Sequence, residues 1–219
     1  MPDPDELPVS SVHHVRRAVE VPKAIVAAAV LAVSTWIALD GVPPWEADLF
    51  DALNGLSGWL VVVLWAPMQL GSLFGPVLVA LVSWIAWRRW RPTVGALVVG
   101  LIAWQLAKVI KDQVRRGRPI DLMPEYVARW GTPTDGLGFV SGHSTVAFAL
   151  ATVLSPYLRR PWRWAAYGVA VLVALSRIHL AAHFPLDTVG AAALGCLLGW
   201  LYHLAVGVPD DAPGITERR

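Results

Sequence analysis

Long stretches without Asp, Glu, Lys or Arg alternate with short charged clusters along this chain. The uncharged stretches run 24–39, 52–87, 92–107, 136–158, 164–176 and 188–209. A helix that crosses a bilayer needs about 20 mostly apolar residues, with latitude at its ends. The pattern predicts six such helices, at roughly 24–40, 73–88, 93–111, 143–158, 163–179 and 187–206. The run 52–87 is too long for one helix and short for two plus a turn. Its first part holds Gly55, Gly58, Pro67 and Gly71. It reads as an interfacial or re-entrant segment, with a seventh span over 57–70 as the alternative. The expected fold class is therefore all-α: a polytopic membrane protein with six transmembrane helices and one short segment after the first.

The charged clusters give these helices a direction. Arg16, Arg17 and Lys23 precede the first span, Arg88, Arg89 and Arg91 separate the second and third, and Arg159, Arg160 and Arg163 separate the fourth and fifth. With six spans all three clusters share one side, which the positive-inside tendency makes the cytoplasm. A seventh span would move the N-terminal cluster outside, so six is preferred. Both termini are then cytoplasmic in a multi-pass cell-membrane protein.

Composition agrees and excludes alternatives. Of 219 residues, 56% are hydrophobic and 16% charged, against roughly a quarter charged in soluble domains. A net charge of +2 gives no bulk field for nucleic acid. Twelve tryptophans suit two membrane–water interfaces. The single cysteine, Cys196, excludes an intramolecular disulfide and makes a thiolate metal site untenable. The expected organisation is a polar N-terminal tail (1–22), one membrane domain (23–207) and a polar C-terminal tail (208–219). The first 20 residues contain no apolar stretch of the kind a cleaved signal peptide needs. Segment 112–142 is the one long polar stretch between spans, and loops of about 30 residues are usually functional or disordered.

The informative charges lie on the opposite, outer side. Lys111, Arg115, Arg116 and Arg118 follow the third span; Ser141, Gly142 and His143 open the fourth; Ser176, Arg177 and His179 end the fifth; His183 and Asp187 open the sixth. Topology alone brings these four helix ends to one face. Basic residues that break the positive-inside tendency have a task. Arg and Lys beside a Gly-containing helix N-terminus describe an anion site, with phosphate the natural candidate. Two histidines beside a bound phosphate add chemistry: one imidazole can attack phosphorus while the other protonates the leaving oxygen. His183 and Asp187 stand four apart, which suits a carboxylate orienting an imidazole.

These residues resemble the three motifs of the type 2 phosphatidic acid phosphatase (PAP2) superfamily: Lys111-x6-Arg118-Pro119, Ser141-Gly142-His143, and Ser176-Arg177-x5-His183-x3-Asp187. One position departs, since Val140 stands where the family usually has Pro before Ser-Gly-His. The resemblance implies an integral membrane lipid phosphatase without a metal or other cofactor. Its substrate would be a lipid phosphate or diphosphate: polyprenyl diphosphate first, otherwise phosphatidate or phosphatidylglycerophosphate. It implies His183 as a nucleophile forming a phosphohistidine, Asp187 as its orienting group and His143 as general acid. Lys111, Arg118, Arg177, Ser141 and Gly142 would hold the phosphate. Partners would be the lipid substrate and membrane lipids. A phosphotransferase of the same fold is the alternative, and an anion transporter a more remote one, because the charges lie at one boundary and not at mid-membrane depth.

Other residues have plainer expectations. Arg115 and Arg116 match no motif position and read as headgroup contacts or solvated charges. His179 lies on the site's face, either against substrate or in a structural role. His203 reads as a packed or interfacial histidine, and His13 and His14 as tail residues. Trp130 lies in the long outer loop, either bordering lipid access or packing that loop. Gly195 and Gly199 read as a small-xxx-small packing pair within the monomer.

Overall fold

The computed structural model describes residues 14–123 and 125–210. Residues 1–13, with His13, and 211–219, the outer parts of the two expected tails, lie outside the described residues.

The chain runs through α1 (Glu20–Leu39), α2 (Pro44–Asn54), α3 (Leu60–Gln69), α4 (Phe74–Trp87), α5 (Trp90–Val114), α6 (Pro119–Leu122), α7 (Gly142–Leu154), α8 (Arg160–His179) and α9 (Pro185–Val206). Proline stands in the first turn of α2, α6, α8 and α9, where its fixed φ suits the helix and its missing N–H is no loss. Each of the six expected spans coincides with a helix: α1, α4, α5, α7, α8 and α9. By length and apolar content, three described helices can cross a bilayer unaided: α1, α5 with its continuation to Leu122, and α9. The pair α3–α4, bent by 64° at its break, is a fourth if it counts as one span. Helix α7 has 13 residues and is about 20 Å long, short of a hydrocarbon core of about 30 Å. The segment expected as interfacial or re-entrant is largely α3, with Pro67 inside it. Helix α2 lies in a stretch for which the sequence pattern predicted no element.

Helix α9 packs between α1 and α7, α5 lies beside α7, and α8 bridges α7 and α3. The core is built largely from small residues, for example Ala96, Val99, Ala103, Val146, Ala149 and Val153. Gly195 approaches the Thr145 carbonyl and Ala149, and Gly199 approaches Thr152. The Gly195/Gly199 pair thus brings α9 and α7 together within one chain, as small residues do between membrane helices. Large apolar residues face outward instead, among them Ile25, Val33, Val77, Leu81, Leu101 and Ile102. That inversion suits lipid as the surrounding solvent.

The three basic clusters meet at one end of the bundle. Strand β1 (His14–Val15) pairs antiparallel with β2 (Val208–Pro209). Arg16 and Arg17 donate to the carbonyls of Ala205 and Pro209. The Tyr202 hydroxyl donates to the Arg91 carbonyl at 2.7 Å, and the Trp87 and Tyr157 rings lie 6.0 Å apart. His203 is packed at this end, with Nε2 3.3 Å from the Val153 carbonyl.

Candidate active site

The other end of the bundle gathers the motif residues, and backbone contacts explain how. Helix α5 stops at Val114 because Arg115 turns into the left-handed region, at φ +53°. The chain then leads through Arg116 and Arg118 into the short α6. Later it returns as a strap, 136–141, laid across the ends of α5 and α9. The strap ties the motifs together. Arg118 Nε donates to Gly136 O at 3.1 Å. Lys111 Nζ donates to Leu137 O at 2.6 Å and Gly138 O at 2.8 Å. Ser141 N–H donates to the Asp187 carbonyl at 3.0 Å.

Ser141 then caps α7. Its Oγ accepts from Ser144 N–H at 3.4 Å and from the Ser144 hydroxyl at 3.0 Å. Gly142 is the first helical residue, and the half-buried His143 ring meets Trp104 edge-on at 5.7 Å.

The third motif is a tight helix–turn–helix. Ala181 sits in the left-handed region at φ +50°, an uncommon conformation for a residue with a Cβ. The N–H groups of Ala182 and His183 both fold back to the Arg177 carbonyl. His183 then faces the first turn of α9, its Nδ1 3.4 Å from Asp187 Oδ2. Asp187 is fully buried. Its Oδ2 also accepts from Phe184 N–H at 2.9 Å, so the same carboxylate caps α9 and meets His183.

Lys111, Arg118, Arg177 and His143 all act electrostatically on His183. Burial first, and then these neighbours, hold the His183 imidazole well below its ordinary range, so it is neutral at neutral pH. Arg177 is buried, with Nη1 3.1 Å from the Met68 sulfur of α3. Among the described residues, the charged groups of Lys111, Arg118 and Arg177 make no salt bridge to a carboxylate; Asp121 meets Arg118 only at its backbone N–H. Three neighbouring cations without a side-chain salt bridge are suited to an anion, because an uncompensated charge away from water is costly. A neutral imidazole beside that anion can attack it or exchange protons with it. No group of three or more His, Cys, Asp or Glu fit to hold a metal ion occurs among the described residues.

The sequence reading of Arg116 needs correcting. It is not a solvated or headgroup-facing charge: it is 4% exposed. Its Nη1 donates to Asp187 Oδ1 at 2.9 Å, and it forms a two-pronged ion pair with Glu46 of α2. Glu46 itself was missed. It follows Pro43, Pro44 and Trp45, a proline–acid pattern that marks a helix start but says nothing about where the carboxylate points. Arg115, next to Arg116, is exposed as expected.

His179 stands outside the cluster in a structural role. Its Nδ1 lies 3.1 Å from the Leu53 carbonyl, near the end of α2. Trp130, 70% exposed, stacks on Trp65 of α3 with ring centroids 4.2 Å apart.

Helical architecture and site together define a membrane protein with a cation- and histidine-bearing centre. Comparison with known proteins gives the family. The model of the PAP2 superfamily matches residues 69–208, so the chain belongs to that superfamily, as a membrane phosphatase of the lipid phosphatase type. The lipid A 4'-phosphatase of Porphyromonas gingivalis is 28% identical over 177 residues, 70% of the length of each protein. The undecaprenyl-diphosphatase of Sulfolobus acidocaldarius is 30% identical over 122 residues, 54% of each. Two solved structures share the fold. The PAP2-type phosphatidylglycerolphosphate phosphatase of Bacillus subtilis has a TM-score of 0.65 at 23% identity, covering 82% of this chain and 94% of the other. Aquifex aeolicus LpxE has a TM-score of 0.59 at 23% identity, covering 71% and 93%.

Proposed function

We propose that this phosphatase hydrolyses a lipid phosphate or diphosphate at the outer membrane face, through a phosphohistidine intermediate. The observation that carries the reading is the convergence of Lys111, Arg118 and Arg177, without acidic partners, on a buried His183 braced by Asp187.

In this mechanism the three cations grip the phosphoryl oxygens, with the α7 N-terminus at Ser141–Gly142 beside them. Asp187 faces Nδ1 of His183 at 3.4 Å and orients the ring, so the Nε2 lone pair is the one that attacks phosphorus. The P–O bond to the leaving group breaks, and His143 delivers a proton to the departing oxygen. His143 then takes a proton from water, which displaces phosphate from His183 and restores the imidazole. Catalysis is chiefly positioning and charge stabilisation, the terms that dominate phosphoryl transfer.

In this reading the membrane domain crosses at α1, α4, α5, α7, α8 and α9, with α4 completed by α3 as a bent pair and the short α7 enclosed by its neighbours. Basic clusters and both termini lie in the cytoplasm and the site lies outside. The lipid tail stays in the bilayer while the headgroup reaches the cations. Polyprenyl diphosphate is the preferred substrate, a choice supported by the outward site and by the likeness to an undecaprenyl-diphosphatase. The likeness to a lipid A 4'-phosphatase makes other lipid phosphates the comparison set.

The test is phosphate release by the purified, detergent-solubilised protein. The panel holds polyprenyl mono- and diphosphates, phosphatidate and phosphatidylglycerophosphate, with EDTA present and His183→Ala alongside. Release that survives EDTA and vanishes in folded His183→Ala is expected. Full activity in that variant overturns the nucleophile. For topology, cysteines placed in 126–135 should label from outside intact cells; labelling only after lysis reverses the orientation.

A further inference from the structure

Arg116 and Glu46 belong to none of the motifs, yet they form the most deeply buried charge network at the site. Both Nη groups of Arg116 are fully engaged, while its buried Nε has no hydrogen-bond partner among the described residues. Nη1 bridges Glu46 Oε1 at 3.2 Å and Asp187 Oδ1 at 2.9 Å. Nη2 meets Glu46 Oε2 and the Gly41 carbonyl at 2.8 Å. The guanidinium lies 4.9 Å from the centroid of the Phe184 ring, which in turn packs on Phe50 of α2 at 5.3 Å. Glu46 is fully buried and reaches α9 directly: its Oε1 accepts from Leu186 N–H at 2.8 Å. Arg116 therefore has no free Nη donor to offer a phosphate, in contrast to its neighbour Arg118.

We infer that Glu46 and Arg116 are positioning residues that hold Asp187 on His183 and away from the phosphate-binding cations. The inference rests on the proposed role of His183. Its physical basis is a competition. Asp187 lies within electrostatic reach of Lys111 and Arg118. Left to those two cations, the carboxylate would pair with them, cancel the charge meant for substrate and leave the imidazole unsupported. Arg116 takes Oδ1, so Oδ2 stays with Phe184 N–H and His183 Nδ1. Glu46 does two things. It compensates the buried guanidinium, which keeps Arg116 a holder of carboxylates and not a fourth phosphate ligand. It also pins the α9 backbone next to Asp187. Helix α2, which carries no motif residue, thereby acts on the reaction without touching it.

The experiment compares Arg116→Gln, Arg116→Lys and Glu46→Gln with the wild type and His183→Ala. Both kcat and KM are measured across pH, after size-exclusion chromatography has confirmed folding. Charges facing His183 come from Lys111 on α5, Arg118, His143 on α7, Arg177 on α8 and Asp187 on α9, with Arg116 and Glu46 behind Asp187. Removing the Arg116 charge favours protonated His183, so the acid limb of kcat/KM moves to higher pH. Removing the Glu46 charge moves it to lower pH. Both neutral variants should lose about 10²-fold in kcat, the scale of a catalytic group misplaced by about 1 Å, and Arg116→Gln should also raise KM, because a released Asp187 cancels cationic charge meant for substrate. Arg116→Lys should recover part of kcat. A merely structural defect would not shift the limb in opposite directions.

Wild-type kcat and an unmoved limb in folded variants overturn the inference. So does a large KM increase at unchanged kcat, which would make Arg116 a substrate ligand. If Arg116→Gln does not fold, the near-isosteric Glu46→Gln decides by the same criteria. Activity retained in His183→Ala instead overturns the underlying mechanism, so the two failures are distinguishable.

Discussion

Gly71 lies flat against the backbone of His143. A Cβ on Gly71 would fall inside the contact radius of the His143 carbonyl oxygen and 2.9 Å from its carbonyl carbon. The break between α3 and α4 is thus seated on the first turn of α7, next to the proposed general acid. Gly71→Ala has nowhere to place its methyl group without pushing His143. Overpacking of this kind costs about 1–3 kcal/mol, and a shift of about 1 Å in a catalytic group costs about 10²-fold in rate. The expected outcome is a folded protein with strongly reduced kcat and little change in KM. Wild-type kcat would show that the α3–α4 break does not set the position of His143.

The phosphate grip predicts a different kinetic signature. Arg118 is anchored by the Gly136 carbonyl and Arg177 by Met68 and a buried position in α8. Arg118→Ala and Arg177→Ala should each raise KM and lower kcat, because a phosphoryl group carries charge in both ground and transition states. Inorganic phosphate or vanadate as a competitive inhibitor should weaken in step. Unchanged inhibition constants would remove either residue from the anion site.

The buried His183 imidazole predicts the pH response. Its folded value is depressed below 6.5 by burial and by the surrounding cations. The proposed nucleophile therefore stays neutral as pH falls through 6.5, and the acid limb of kcat/KM should lie below that value. Stability follows the same linkage. The unfolded chain binds the proton first, so this contribution is full above about pH 6.5 and declines as pH falls below it. Rates on a diphosphate whose own ionisation is titrated separately check the first point, and melting temperatures across pH check the second.

Arg129 predicts a stability effect with little chemistry. Its guanidinium donates to the carbonyls of Val127, His179, Asn54 and Leu56. Asn54 in turn donates to Val127 and His179. This clasp ties the segment around 127–129 to α2 and to the end of α8. Arg129→Ala takes their side-chain donor from the Asn54 and Leu56 carbonyls, while Asn54 still serves Val127 and His179, and the loss should be about 1–2 kcal/mol. A lowered melting temperature with kcat per folded molecule near wild type is expected; an unaltered melting curve would deny the clasp its role.

Removal of metal ions is the fifth test. The cations that would neutralise the phosphoryl oxygens are Lys111, Arg118 and Arg177, all supplied by the chain. Dialysis against EDTA should leave the rate unchanged, and restoration of a lost rate by a divalent cation would contradict the mechanism.

Much of this was legible in the amino-acid sequence, for a clear reason. Uncharged runs bounded by arginines report the bilayer, whose thickness and low dielectric act on each segment independently. The positions of six of the helices and the common end of the basic clusters therefore follow from composition along the chain. Lys111, Arg118, His143, Arg177, His183 and Asp187 could be gathered at one end because helices that alternate in direction place alternate ends together.

What stood outside that logic depends on side-chain direction and on contacts between distant segments. Helix α2 carries no span and no motif, so its Glu46 announces nothing, and Arg116 next to the exposed Arg115 looks like one more surface charge. Only the tertiary structure could decide that one of these two arginines turns inward, because the decision is made by partners 70 and 71 residues away, Glu46 and Asp187. A buried charge is tolerable only where the fold delivers its opposite. The sequence by itself determined that a membrane bundle would present cations and histidines at one face. The packed structure alone decided which carboxylate each cation would meet, since that is a property of three-dimensional proximity and not of order along the chain.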